Sequence, residues 1–287
     1  MRVLIVGAGQ MGSGIAQVAA AAGDTVLLND VDRERVEQGL AAITKNLDRL
    51  IEKGKLTTEQ RWETLARIDA HPQWGDFDAD LAIEAATENP QIKFEIFRRL
   101  DVSTPPRAIL ASNTSSISIT KLGAQTKRPE RTIGMHFMNP APVMKLLEIV
   151  RGIATSQETF DRVHACAIAY GKTPVEVRNY PGFVSNRILC PMLNEAIFAL
   201  YEGAGTVESI DAVMKLGMNH PMGPFELADF IGLDTLLAIM NVLYEGFKDS
   251  KYRACPLLQE YVDAGWLGRK SGRGFRVYPG RTPSYVQ

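Results

Sequence analysis

Apolar residues in this chain keep two rhythms. Through the first 180 positions, short solid apolar runs at 3–6, 26–28, 81–85, 108–111, 132–137, 145–150 and 173–178 read as strands. Solid runs of this length suit strands buried on both faces. Longer stretches with helical spacing separate them, at 13–22 and 156–170 among others. One such stretch, 33–67, is unusually long and charged. It places Val36, Leu40, Ile43, Leu47, Leu50 and Ile51 on one face, and Gly54 marks a turn within it. It reads as a helix–turn–helix excursion from an otherwise regular strand–helix alternation. Beyond Pro181 and Gly182 the strand runs stop. Helical patterns follow at 185–201, 206–216, 224–244 and 255–264, with Pro191 expected to bend the first of them. The chain is therefore expected to form an α/β domain over 1–182 and an all-helical domain over 183–287.

The first strand runs straight into Gly7-Ala8-Gly9-Gln10-Met11-Gly12, and a helix of small residues follows. Gly7 permits the tight turn out of the strand, Gly9 lets a pyrophosphate approach the backbone, and Gly12 lets the helix pack close. The helix N-terminus offers unpaired N–H groups to an anion. Asp30 ends the second strand, where a carboxylate can accept both ribose hydroxyls of an adenosine and would repel a 2′-phosphate. The turn residues Gly7, Gly9, Gln10, Met11 and Gly12, with Asp30, thus form a candidate dinucleotide site that favours NAD over NADP. Arg33 nearby leaves some room for the phosphorylated cofactor. Lys45, Lys53 and Lys55 on the excursion are either a solvated face or a clamp for a phosphate-bearing substrate.

Chemistry-bearing residues gather where strands end. Glu84, Glu88 and Asn89 close the 81–85 strand, and Lys93 follows on the next helix. The 108–111 strand runs into "SNTSSISIT", whose Ser115 or Ser116 either caps the next helix or faces the ligand crevice. His136 and Glu148 each interrupt an apolar strand. If those strands are neighbours, the carboxylate fixes the imidazole's tautomer and stabilises its protonated form. That is what dehydrogenation of an alcohol needs: a base takes the hydroxyl proton while hydride leaves the same carbon. Asn186, at the start of a helix, is either a cap or an amide donor to a substrate oxygen. His164 and His220 read as structural.

Composition narrows the picture. The chain has 287 residues, 45% hydrophobic and 23% charged, with a formal net charge of −1. No global field recruits nucleic acid or membrane, and no apolar run approaches a span. The three cysteines, Cys166, Cys190 and Cys255, are scattered and expected to be reduced. The histidines do not cluster at ligand spacing, so no metal is expected. The first strand begins at once, from which we expect no targeting segment and a cytoplasmic protein.

The segments "GAGQMGSGIA", "SNTSSISIT", "GMHFMNPAPVMKLLEIV", "GFVSNRIL", "NHPMGPFELADFIGLD" and "AGWLGRKSGRGF" together resemble the (3S)-3-hydroxyacyl-CoA dehydrogenases, especially the bacterial short-chain type. The likeness covers essentially the whole chain, with motifs in order and spacing. It implies a Rossmann-type doubly wound sheet, a helical dimerisation domain, and hydride transfer between NAD(H) and C3 of an acyl-CoA in fatty-acid or butanoate metabolism. It implies His136 as acid/base with Glu148 as its partner, Ser115 at substrate and nicotinamide, and Asn186 at substrate. NAD contacts would fall on Gly7, Gly9, Gly12, Asp30, Glu88, Lys93, Ser115 and Asn139, and a CoA contact on Lys53. Met138 departs from the family's usual phenylalanine. A homodimer or higher homo-oligomer is expected. The rival readings are a dehydrogenase of a free hydroxy acid such as L-gulonate, and a non-catalytic NAD-binding scaffold.

Overall fold

A computed structural model describes residues 1–279. The chain divides into two compact units, Met1–Asn179 and Tyr180 onward.

The first unit is built on one sheet in the order β3-β2-β1-β4-β5-β6-β7-β8. Its strands are β1 (Arg2–Val6), β2 (Thr25–Asn29), β3 (Ile68–Ala70), β4 (Leu81–Glu84), β5 (Ile109–Ser112), β6 (Thr132–Phe137), β7 (Leu146–Arg151) and β8 (Thr173–Arg178). All neighbours run parallel except β6 and β7, which are antiparallel. The 3-2-1-4-5-6 core of this order is that of the doubly wound nucleotide-binding sheet, as expected from the sequence.

Alternation sorts the side chains between the two faces. Val3, Ile5, Val26, Leu28, Leu81, Ile83, Ile133, Met135, Leu147 and Ile149 join one core cluster with Ile15 and Ala16 of α1 (Gln10–Ala21) and Val163 and Ala167 of α6 (Gln157–Ala169). The intervening positions face the other way. There α4 (Pro90–Ser103) lies on β4 and β5, and α5 (Ile119–Gly123) on β6 and β7. Glu84, Ser112, Gly134, His136 and Glu148 all fall on this second face.

The excursion forms α2 (Arg33–Glu52) and α3 (Thr58–Ala66), with Gly54 at positive φ between them. Val36, Ile43 and Leu47 are buried and Leu40 and Leu50 pack partly against the core. The strand β3 that follows was not expected. It is three residues long, mostly exposed and without an apolar run, so tertiary pairing with β2 alone makes it a strand. Ser118, rather than Ser115 or Ser116, caps α5 by accepting the Lys121 N–H.

The second unit is helical: α7 (Ser185–Tyr201), α8 (Val207–Ala212), α9 (Pro224–Ile231), α10 (Leu233–Phe247) and α11 (Pro256–Asp263). α7 runs through Pro191, and α8 continues as a short wider turn over Val213–Gly217. The single helix expected over 224–244 is instead two helices bent by 94° at Gly232, whose φ of 103 lies outside helical space. Hydrophobic spacing was blind to this break because both helices bury apolar faces in one core around Phe225, Leu233, Leu236, Met240 and Leu258. Among the described residues no single helix is long and apolar enough to cross a membrane. The three cysteines are free and buried.

Candidate active site

The glycine turn leaves β1 as the sequence requires. Gly7 has φ +108, and a Cβ there would lie 2.6 Å from the Ala85 carbonyl oxygen. A Cβ on Gly12 would fall 1.7 Å from the Gly7 carbonyl oxygen, so α1 sits where only glycine allows it. Gly9 has nothing within 4 Å of its Cβ position, leaving the backbone open to a ligand. A cavity of about 300 Å³ opens here, lined by residues that include Gly9, Gln10, Ser13, Asp30, Arg35 and Gly39. The arginine on this cavity is Arg35; Arg33 instead approaches Glu37 at 3.9 Å. Asp30 Oδ2 accepts the Ala8 N–H at 2.6 Å and Oδ1 accepts the Val31 N–H at 2.7 Å, so the carboxylate is aimed across the turn. Met11 packs partly on the core, whereas the Gln10 side-chain amide donates to Asn139 Oδ1 at 3.0 Å. These features fit a dinucleotide: an open anion cradle at a helix start, and a carboxylate at the ribose end.

His136 and Glu148 are register partners across the antiparallel β6–β7 pair. Their Nδ1 and Oε2 atoms are 2.8 Å apart, with the residues 7% and 2% exposed. Both lie at the end of the sheet where the parallel strands finish, because β6 ends there and β7 begins there. The connection between them is fixed by Lys172, whose ammonium donates to the carbonyls of Ala141 and Met144.

The turn after β5 is organised by Glu88. One carboxylate oxygen, Oε1, accepts from Thr114 Oγ1 at 2.6 Å, Ser115 N at 2.9 Å, Ser116 N at 3.1 Å and Ser116 Oγ at 2.9 Å, with Ser115 Oγ at 3.2 Å. Burial pushes this carboxyl up, but the Lys93 ammonium and these hydrogen bonds outweigh it and hold it below the usual glutamate value. Lys93 itself is 1% exposed. Its Nζ sits 2.7 Å from both Glu84 oxygens and 3.5 Å from Glu88 Oε2.

The structure thus brings Gly7, Gly9, Gln10, Gly12, Asp30 and Asn139 together around the glycine turn. It joins Glu88, Lys93 and Ser115 in one hydrogen-bonded group, and His136 with Glu148 in a second. Lys53 ends α2, exposed and apart from these groups. Asn186 belongs to the second unit, in the first turn of α7; the N-cap there is Val184, so Asn186 does not cap the helix. Sequence reasoning placed Glu84 among the strand-end residues but gave it no partner, and it did not single out Ser112, Asn113 or Lys172. A carboxylate at a strand end with a lysine nine residues on was the available signal for the first.

An NAD-type glycine turn joined to a buried His–Glu pair at the strand ends defines a nicotinamide-dependent alcohol dehydrogenase class. A family model described as "3-hydroxyacyl-CoA dehydrogenase, NAD binding domain" matches residues 2–180, and one described as "3-hydroxyacyl-CoA dehydrogenase, C-terminal domain" matches 182–278. The chain belongs to the 3-hydroxyacyl-CoA dehydrogenase family and is an NAD-dependent oxidoreductase. It is 57% identical over 282 residues to a probable 3-hydroxybutyryl-CoA dehydrogenase of Bacillus subtilis, covering 98% of each chain. It is 56% identical over 283 residues to 3-hydroxybutyryl-CoA dehydrogenase of Bradyrhizobium diazoefficiens, covering 98% of this chain and 97% of that one. The crystal structure of (S)-3-hydroxybutyryl-CoA dehydrogenase PaaH1 from Ralstonia eutropha superposes with a TM-score of 0.94 at 53% identity, covering 96% of this chain and 98% of that one.

Proposed function

We propose that this enzyme interconverts (S)-3-hydroxybutyryl-CoA and acetoacetyl-CoA. The substrate rests on relatives named for that thioester, similar along nearly the whole chain. The observation that carries the chemistry is the buried His136–Glu148 pair at 2.8 Å. Glu148 takes the Nδ1–H of His136, which leaves Nε2 as the basic nitrogen. In the oxidative direction Nε2 accepts the proton of the C3 hydroxyl; in the reductive direction the imidazolium returns it to the C3 carbonyl oxygen. A bound nicotinamide would supply the hydride acceptor for oxidation at C3 and the hydride donor for the reverse reaction. The glycine-turn N–H groups would hold the pyrophosphate and Asp30 the adenosine ribose, with Gln10, Met11, Glu88 and Asn139 as further cofactor contacts; Lys93, 1% exposed, would act on the cofactor only through Glu88. The Ser115 hydroxyl, 3.2 Å from Glu88 Oε1, would turn to donate to the C3 oxygen and compensate its developing charge. Asn186 keeps the role the resemblance gives it, an amide hydrogen bond to a substrate oxygen, and Lys53 that of a CoA contact.

The assay follows loss of NADH with acetoacetyl-CoA, with free acetoacetate and other keto acids in parallel. Turnover is expected with the thioester and not with the free acids. The opposite preference, or tight NADH binding without turnover, overturns the proposal. We further propose a cytoplasmic homodimer. Ile188, Leu216, Met218 and Phe230 are exposed apolar side chains of the second unit that support self-association, and light scattering of the purified protein reads it directly.

A further inference from the structure

Glu84 is the last residue of β4 and is 0% exposed. Each of its carboxylate oxygens has two partners. Oε1 accepts the Ala86 N–H at 2.8 Å and the Lys93 ammonium at 2.7 Å. Oε2 accepts the same ammonium at 2.7 Å and the Ser112 hydroxyl at 2.6 Å. The Glu84 main-chain oxygen takes the Asn113 N–H at 2.8 Å, and Asn113 Oδ1 in turn takes the Phe137 N–H at 2.9 Å, next to His136. One residue beyond Glu84, Ala85 meets the Gly7 turn.

Strand register adds a second line of argument. Glu84 pairs with Ser112, Ser112 with Gly134, and Gly134 with Val150. His136 and Glu148 lie two residues further toward the same sheet end on the same face, about 7 Å along the strands. Gly134 leaves room in this row: a Cβ there would lie 2.7 Å from Val150 Cβ and 2.9 Å from Ile119 Cδ1. A fully buried ion pair is a poor source of stability, since apolar residues of similar volume often do as well. What it does supply is fixed geometry. Lys93, held by Glu84, is the cation that faces Glu88 at 3.5 Å, and Glu88 receives the N–H groups of Ser115 and Ser116.

We propose that Glu84 is a positioning residue for the reaction: through Lys93 and Ser112 it fixes the Glu88-bound turn that presents Ser115. The inference rests on the function proposed above. The test is a double-mutant cycle of Glu84→Gln with Ser115→Ala, with acetoacetyl-CoA and NADH as substrates. Glu84→Gln alone should lower kcat by about tenfold to a hundredfold, with KM for the thioester nearly unchanged. Glu84→Asp, which keeps the charge, should recover part of the loss. In the Ser115→Ala background Glu84→Gln should have little further effect, because both act on one group.

Thermal midpoints are measured alongside. Losses that multiply independently in the cycle, or a Glu84→Gln enzyme with a lowered midpoint but wild-type kcat, overturn the proposal. If Glu84→Gln does not fold, Ser112→Ala enters the same cycle, since it removes the hydroxyl that links Glu84 to the Thr114 N–H of the turn and no charge. An inactive wild-type enzyme would instead sink the functional reading, so the two failures are distinguishable.

Discussion

Replacing Glu148 by Gln is the most direct perturbation of the proposed chemistry. The change is nearly isosteric, so packing between β6 and β7 should survive. It removes the negative charge from beside His136, in a site where the two residues are 7% and 2% exposed and Nδ1 and Oε2 are 2.8 Å apart. A hydrogen bond to a charged group contributes about 1.5–3 kcal/mol. Coulomb attraction between unit charges about 4 Å apart at an effective dielectric of about 20 is of similar size, about 4 kcal/mol. The charge matters only while the imidazole carries the proton, so the loss falls on proton transfer and not on substrate binding. Taking about 3 kcal/mol, oxidation should slow by about a hundredfold because the imidazole gains its charge in that step, and reduction should fall because the imidazolium it starts from is no longer stabilised. The glutamine can also offer its NH₂ group to Nδ1, which selects the wrong tautomer and deepens the loss. NADH consumption with acetoacetyl-CoA gives kcat, and fluorescence titration of NADH shows whether the cofactor site is intact. A folded Glu148→Gln enzyme that binds NADH and turns over within about threefold of wild type refutes the assignment of this pair.

Two further outcomes follow from the site. Glu88 is held below its ordinary value of 4.5, so its stabilising effect on the 114–116 turn is complete above that pH and fades as pH falls through the lower folded value. The difference in thermal midpoint between wild type and Glu88→Gln should therefore be largest near neutrality and close in acid; a constant gap would contradict the Glu88 hydrogen bonds. Gly39→Ala would place a Cβ 2.8 Å from the Ala8 carbonyl oxygen and 2.9 Å from Ser13 Oγ, so α2 must shift from the glycine turn. That overpacking should cost about 1–3 kcal/mol in urea unfolding and weaken NADH binding; unchanged values for both would show that α2 does not define the cavity.

The fold was largely legible because its signals are local and strong. Solid apolar runs marked the central parallel strands, and the glycine turn could be placed because Gly7 and Gly12 have no substitute at their positions. What escaped were features set by tertiary contact. β3 has no apolar pattern and exists through its pairing with β2. The break at Gly232 lay hidden inside a continuous apolar stretch, since a 94° bend can keep both helix faces in one core. In the site, His136 and Glu148 stood out as isolated polar residues in apolar strands, and their meeting required only that β6 and β7 be neighbours. Glu84 stood out equally, at a strand end. Its link to Lys93 depends on where α4 crosses the sheet face, which no spacing along the chain discloses. The Ser115 turn was read as a cap or a ligand contact. That Glu88 gathers its donors could not be read from sequence, because the partners lie 26 to 28 residues apart.

The two buried acids on this sheet face differ in their partners, and the proposed function gives proton transfer to only one of them. Glu84 and Glu148 both end up almost wholly excluded from water, each beside a cationic or potentially cationic partner. Lys93 meets Glu84 through both oxygens and the more exposed Glu88 besides, so its ammonium is tied on two sides. All three oxygens it reaches belong to carboxylates, so the group it anchors is held still. Glu148 faces an imidazole, which has a second ring nitrogen that does not meet the carboxylate. The same face thus carries a Glu–Lys pair and, about two residues further along the strands, the Glu–His pair to which the proposed function gives the proton. A Lys in place of His136 would turn the second pair into a copy of the first, and turnover should be lost although charge and burial are kept.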